Sequence, residues 1–153
     1  MADGFRRALL GLALLSTMGR GAAADAAPFA PPVGHWLTQD RSGVIEIGPC
    51  GGGALCGRIV GMTEWPTDGD VPRDVHGRPQ CGLTIIAGAR PTASGRWDGT
   101  ITDPDTGHTY DAQLWTDAAG RLHLRGYVGI PLFGATQVWT PYRAPVPRDC
   151  RLM

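Results

Sequence analysis

Four cysteines, four histidines and a small acidic cluster are the residues of this chain whose types could do chemistry, and their spacing narrows what that chemistry can be. Cys50 and Cys56 flank Gly-Gly-Gly-Ala-Leu, a five-residue loop that sets them opposite each other across a hairpin. Cys50–Cys56 is the expected first disulfide, and Cys81–Cys150 follows by elimination. The Cys-x5-Cys spacing matches neither the Cys-x2-Cys redox motif nor a zinc knuckle, so structural staples are expected in place of a redox or metal centre. His35, His76, His108 and His123 stand singly, with no His-Glu-x-x-His run and no Gly-x-Ser-x-Gly to supply a nucleophile. Asp68-Gly69-Asp70 with Asp74 offers oxygen ligands of the kind Ca²⁺ takes, yet it lacks the alternating ligand loop and the distal bidentate Glu, and reads as a solvated loop. The expectation is a protein with no catalytic residues, no metal and no cofactor.

What is left is a constellation suited to binding, and it depends on strands to assemble it. Beyond the first residues, apolar positions recur at period two, and Gly or Pro interrupts almost every ten-residue window. Eight short strands are predicted, near Gly34–Thr38, Gly43–Gly48, Leu55–Met62, Leu83–Ala87, Gly95–Thr102, His108–Thr116, Arg121–Val128 and Ala135–Thr140. The polar, Pro-rich stretch from Thr63 to Gly82 is longer than the loops of compact domains and is either a lid or a covering strap.

Turn chemistry fixes two registers. In Asp103-Pro104-Asp105-Thr106-Gly107-His108 the Pro suits the first corner of a type I turn and the Gly its left-handed exit, setting Asp103 opposite His108. Ile101 then faces Tyr110, Gly99 faces Ala112, and Trp97 faces Leu114. In the next hairpin Asp117 opposes Arg121, so Leu114 meets Leu124 and Ala112 meets Gly126. If Cys50 and Cys56 pair, Ile47 faces Ile59. The apolar set shares one face, and Asp98, Thr100, Asp111, Gln113, His123 and Arg125 take the other. Gly99, Ala112 and Gly126 form a row of small residues pointing inward, flanked by Trp97, Leu114 and Leu124 on one side and Ile101 and Tyr110 on the other. Such a row is either the wall of a ligand cavity or a socket filled from across the barrel by Trp36 or Phe133. Arg125 and Tyr127, flanking Gly126, point outward, where they form a surface ion pair and packing under the loop or a partner patch.

Sequential hairpin-linked strands with one apolar face fit a closed up-and-down barrel or two stacked sheets; closure removes exposed edges, and the barrel is the expected fold. Gly34-His35-Trp36 at its start and Arg143 after its last strand suggest closure of one barrel end by an Arg stacked on the Trp.

The chain has 153 residues, 23 of them Gly and 13 Pro, with five Trp and no Lys. Its length gives one domain. Arg6 and Arg7 precede an apolar stretch, Ala8–Leu15, and then Gly21-Ala22-Ala23-Ala24, the pattern of a secretory signal peptide. Residues 1–24 are expected to be removed, 25–32 to form a flexible segment, and 33–153 the barrel domain. The mature chain then carries 11 Arg against 13 acidic residues, a net charge of −2, with the Arg scattered. Nucleic acid is not an expected partner. No apolar run after cleavage is long enough to span a membrane.

The series Gly34-x-Trp36, Leu55-Cys56-Gly57-x-Ile59-Val60, Cys81-Gly82-Leu83, Gly95-x-Trp97-x-Gly99-x-Ile101-x-Asp103-Pro104, Gly107-x-Thr109-Tyr110 and Leu124-Arg125-Gly126-Tyr127-x-Gly129-x-x-Leu132-Phe133-Gly134, with Trp139, covers nearly all of the mature chain. It resembles a family of small exported bacterial proteins of unknown function. The resemblance implies a lipocalin-like β-barrel and brings no catalytic residues; family members look as though they end the last strand Trp-x-Arg, whereas Pro141 and Tyr142 intervene here before Arg143. The functional expectation is a periplasmic or secreted, non-enzymatic barrel that carries a small apolar molecule or lipid. The alternative is an envelope structural or protein-interaction module with a filled interior.

Overall fold

Residues 30–153 are described by a computed structural model of the chain; the expected signal peptide and most of the 25–32 segment lie outside the described residues. Period-two alternation becomes eight antiparallel strands: β1 (Gly34–Leu37), β2 (Gly43–Gly51), β3 (Ala54–Met62), β4 (Thr84–Pro91), β5 (Trp97–Thr102), β6 (Thr109–Thr116), β7 (Leu122–Tyr127) and β8 (Ala135–Pro141). Each strand pairs with the next and β8 pairs with β1, closing an up-and-down barrel. Pro131–Phe133 forms one 3₁₀ turn between β7 and β8.

The two registers argued from turn chemistry hold. Trp97 faces Leu114, Gly99 faces Ala112 and Ile101 faces Tyr110 on β5–β6. Ala112 faces Gly126 and Leu114 faces Leu124 on β6–β7. Asp103 and His108, and Asp117 and Arg121, close their hairpins by backbone hydrogen bonds of 2.9 Å each.

The β2–β3 hairpin differs. Gly51 pairs with Ala54 across a two-residue turn, Gly52-Gly53, both with positive φ, which is the type I′ geometry only Gly adopts at no cost. This tighter turn shifts the register, so Ile47 faces Gly57, and Ile59 faces Ile45 instead of Ile47. Cys50 and Cys56 are therefore not directly opposite, yet they bond at a Cα separation of 5.6 Å. β4 extends to Pro91, beyond its predicted end, through a bulge at Gly88, whose φ is +62°.

The core is continuous along the barrel, with Val44, Ile47, Ile86, Ala112, Leu114 and Leu122 essentially inaccessible. Trp36 is buried and donates its indole N–H to the Pro32 carbonyl at 3.0 Å, pinning the entry of the chain across the barrel wall. Arg143 is exposed. The Arg–Trp stacks among the described residues are Arg96 over Trp115 and Arg151 over Trp65, so the expected Arg143 cover of Trp36 is corrected. Pro141 carries the strand past the point where a Trp-x-Arg ending would turn an Arg back over the barrel.

Candidate ligand cavity

Up-and-down connectivity puts alternate loops at the same end, so β1–β2, β3–β4, β5–β6 and β7–β8 meet around one mouth. All four contribute to a single cavity of about 1110 Å³. Its apolar lining comes from inward positions of the strands: Ile45 on β2, Ile59 and Met62 on β3, Ile85 on β4, Ile101 on β5, Tyr110 on β6, Leu124 and Gly126 on β7 and Trp139 on β8. The rim is polar and mostly acidic, with Asp40, Glu64, Asp103 and Asp105 against Arg73.

The residues read from the sequence as a cavity wall separate into two groups. Ile101, Tyr110, Leu124 and Gly126 line the cavity. Trp97, Gly99, Ala112 and Leu114 do not; they belong to the packed end of the barrel. Gly99 shows why. A Cβ there would lie 2.7 Å from the Ala87 carbonyl oxygen and 2.8 Å from the Ala89 Cα, because the β4 bulge brings backbone against it. Its room is taken by main chain, not by Trp36 or Phe133, and Phe133 is in fact 78% exposed. At Gly126 a Cβ would meet nothing closer than 3.9 Å, from Ile101 and Tyr110, and its φ is not positive; the strained glycine in that segment is Gly129, with φ +78°.

Other lining residues were within reach of the same alternation. Ile45 and Ile59 are inward partners on β2–β3, and Ala135 extends the small row as the partner of Gly126. Ile85 was not: it and Ile86 are both buried in succession, a break of period two where β3–β4 pairing slips. Trp65, beyond any strand, reaches the mouth with its indole N–H on the Met62 carbonyl at 3.2 Å and Arg151 stacked 4.3 Å above its ring.

The stretch Thr63 to Gly82 is a covering strap. Asp74 organises it: its Oδ1 accepts from the His76 and Arg78 backbone N–H groups, and its Oδ2 from the Arg78 guanidinium at 2.7 Å. Burial is the largest single influence on this carboxyl and pushes it up, but the Arg78 hydrogen bonds and charge, with the His76 N–H, together hold it below the ordinary value. Gln80 donates to Asp105 at 2.9 Å and the Val75 N–H to the Pro104 carbonyl, docking the strap on the β5–β6 hairpin. Cys81–Cys150, at a Cα separation of 5.8 Å, fastens its end to the C-terminal tail, where Leu152 packs on Gly61. On the rim, Thr38 and Ser42 hydroxyls donate to Asp40, and the Thr38 bond is the main reason that its carboxyl is lowered.

The remaining polar groups lie away from the mouth. His123 stacks on Trp115 at 5.1 Å and contacts Asp117 Oδ2 at 2.9 Å, a pair that supports the β6–β7 hairpin at the opposite end of the barrel. Arg125 forms no surface ion pair; it donates to the Pro131 and Leu132 carbonyls and to the Thr136 hydroxyl, holding the β7–β8 turn from behind. Tyr127 lies near Asp98 and Asp111, and burial, followed by those two charges, pushes its phenol pKa up. No group of three His, Cys, Asp or Glu positioned to hold a metal ion occurs among the described residues. No helix among them is long and apolar enough to cross a membrane.

A closed eight-stranded antiparallel barrel, open at one end into an apolar interior, defines a lipocalin-like protein. The solved structure of HP1028 from Helicobacter pylori, described as belonging to the lipocalin family, shares this fold with a TM-score of 0.61 at 16% identity, over 74% of this chain and 84% of that one. Residues 34–141 match the model of the uncharacterized proteins conserved in bacteria known as DUF2147, and the chain belongs to that family. No curated protein matches the sequence.

Proposed function

We propose that this protein carries a small, largely apolar molecule in its barrel, in the periplasm or outside the cell, and catalyses no reaction. The observation that carries this reading is the cavity of about 1110 Å³, apolar within and polar at its mouth. Ligand sites are commonly about 300–1,000 Å³, mostly apolar, with a few polar groups that fix orientation. Export is supported by the Arg6-Arg7, Ala8–Leu15 and Ala22–Ala24 pattern and by two disulfides, which persist in oxidising compartments.

The second reading, an envelope module acting through its surface, draws on the packed half of the barrel around Gly99, Ala112 and Leu114. Native mass spectrometry of protein purified without denaturation separates the two. A retained apolar molecule is expected of the carrier. Gly126→Leu supplies the control: its side chain enters the cavity, so the variant should fold as wild type does while losing uptake of an apolar fluorescent probe. A clean apo mass together with unchanged probe uptake by Gly126→Leu would remove the carrier reading.

A further inference from the structure

The turn between β7 and β8 is built in a way the cavity does not require. Val128, Ile130, Leu132 and Phe133 are 71%, 51%, 76% and 78% exposed, four large apolar side chains within six residues. No charged residue occurs from Gly126 to Tyr142. A contiguous exposed apolar patch marks a contact surface. Its backbone is satisfied from within: the Phe133 N–H donates to the Ile130 carbonyl, the Gly134 N–H to the Pro131 carbonyl, and Arg125 covers the Pro131 and Leu132 carbonyls from the strand behind. Internally satisfied main chain with apolar side chains outward is what entry into an apolar phase demands.

We propose that this turn is a docking tip for the surface of a zwitterionic lipid layer, which it enters with Val128, Ile130, Leu132 and Phe133. Two observations favour lipid over protein. A stable protein interface engages about 20–30 residues a side, and this patch offers six. Charge complementarity then selects the kind of lipid. Asp40, Glu64, Asp103 and Asp105, on the other loops of the same mouth, repel an anionic surface, whereas the uncharged tip suits a neutral one. Val128 and Phe133 also line the cavity, so a docked tip brings the mouth against the layer.

The test is co-sedimentation of the full chain with phosphatidylcholine vesicles, comparing wild type with the double variant Leu132→Asp/Phe133→Asp. Both positions are solvent-exposed, and circular dichroism and melting confirm that the variant folds. The wild type should partition onto the vesicles at least tenfold more strongly, and phosphatidylglycerol added to the vesicles should weaken its binding. Gly126→Leu should sediment as wild type does, which separates this proposal from the carrier reading. Equal partitioning of wild type and double variant, or stronger binding to the anionic vesicles, overturns the proposal. So does a dimer in analytical ultracentrifugation that the double variant dissociates, since the tip would then join copies of the chain.

Discussion

Gly99 and Gly126 sit in one interior row, joined through Ala112, and respond oppositely to a methyl group. At Gly99 the added Cβ meets β4 backbone at 2.7–2.8 Å, which cannot move without breaking the pairing of β4 with β5. Gly99→Ala should therefore lose roughly 1–3 kcal/mol, the range for overpacking a close-packed interior. At Gly126 the nearest atoms are 3.9 Å away, an ordinary contact, so Gly126→Ala should stay within about 0.5 kcal/mol of wild type. Urea unfolding of the two variants measures the contrast, and equal losses would mean that the row is packed from end to end.

At the scale of the element, the strap and its staple carry the testable energetics. The Asp74 carboxyl is held below the ordinary 3.8 once the hydrogen bonds and charge of Arg78 outweigh burial. Asp117 is lowered in the same sense, first by His123 and then by the Arg121 backbone N–H, and Asp40 by Thr38. A carboxyl lowered in the folded state contributes its full stability above its unfolded value and loses it as pH falls toward the folded one. Stability should therefore decline as pH drops below about 4, and Asp74→Asn should flatten part of that slope; an unchanged slope would show that Asp74 contributes nothing to it. The two disulfides close loops of very different length, with sequence separations of 6 and 69. In the chain-entropy model the shorter contributes roughly 2 kcal/mol and the longer roughly 4 kcal/mol. Cys81→Ser/Cys150→Ser should accordingly cost more than Cys50→Ser/Cys56→Ser in denaturant unfolding, and the reverse order would show that the tail is held mainly by Leu152 and Arg151.

Taken as a whole molecule, the barrel closes unevenly. β5–β6 and β6–β7 each keep six register pairs, whereas the β1–β8 seam keeps two, Trp36 with Pro141 and Leu37 with Thr140. Two further hydrogen bonds support the seam: the Val138 N–H donates to Gln39 Oε1 at 2.8 Å and the Tyr142 N–H to the His35 carbonyl at 2.8 Å. Amide hydrogen exchange should be slowest in β5–β7 and faster along β1 and the end of β8, where local opening needs the fewest bonds broken. Gln39→Ala should raise exchange at Val138 further, because that amide loses its acceptor. Protection equal to that of β6 throughout the seam would show that Trp36 and Trp139 packing closes the barrel, not its ladder.

Much of this architecture is local in origin and was open to the sequence alone. Period-two alternation, Gly and Pro at the corners and two well-defined turns gave eight strands, their registers from Trp97 to Gly126 and the interior face, because each is set by residues a few positions apart. The disulfide pairs were legible too, one from its spacing and one by elimination. What the sequence could not decide is what lies against a residue from another strand. The β4 bulge fills the space over Gly99 with backbone, while nothing fills the space over Gly126, and no pattern within β5 or β7 distinguishes these glycines. The shift that pairs Ile59 with Ile45, the adjacent burial of Ile85 and Ile86, and the seating of Trp65 at the mouth likewise depend on how distant segments meet. The side-chain period is a property of one strand, whereas a cavity is the volume left between many, and only the closed barrel fixes that volume.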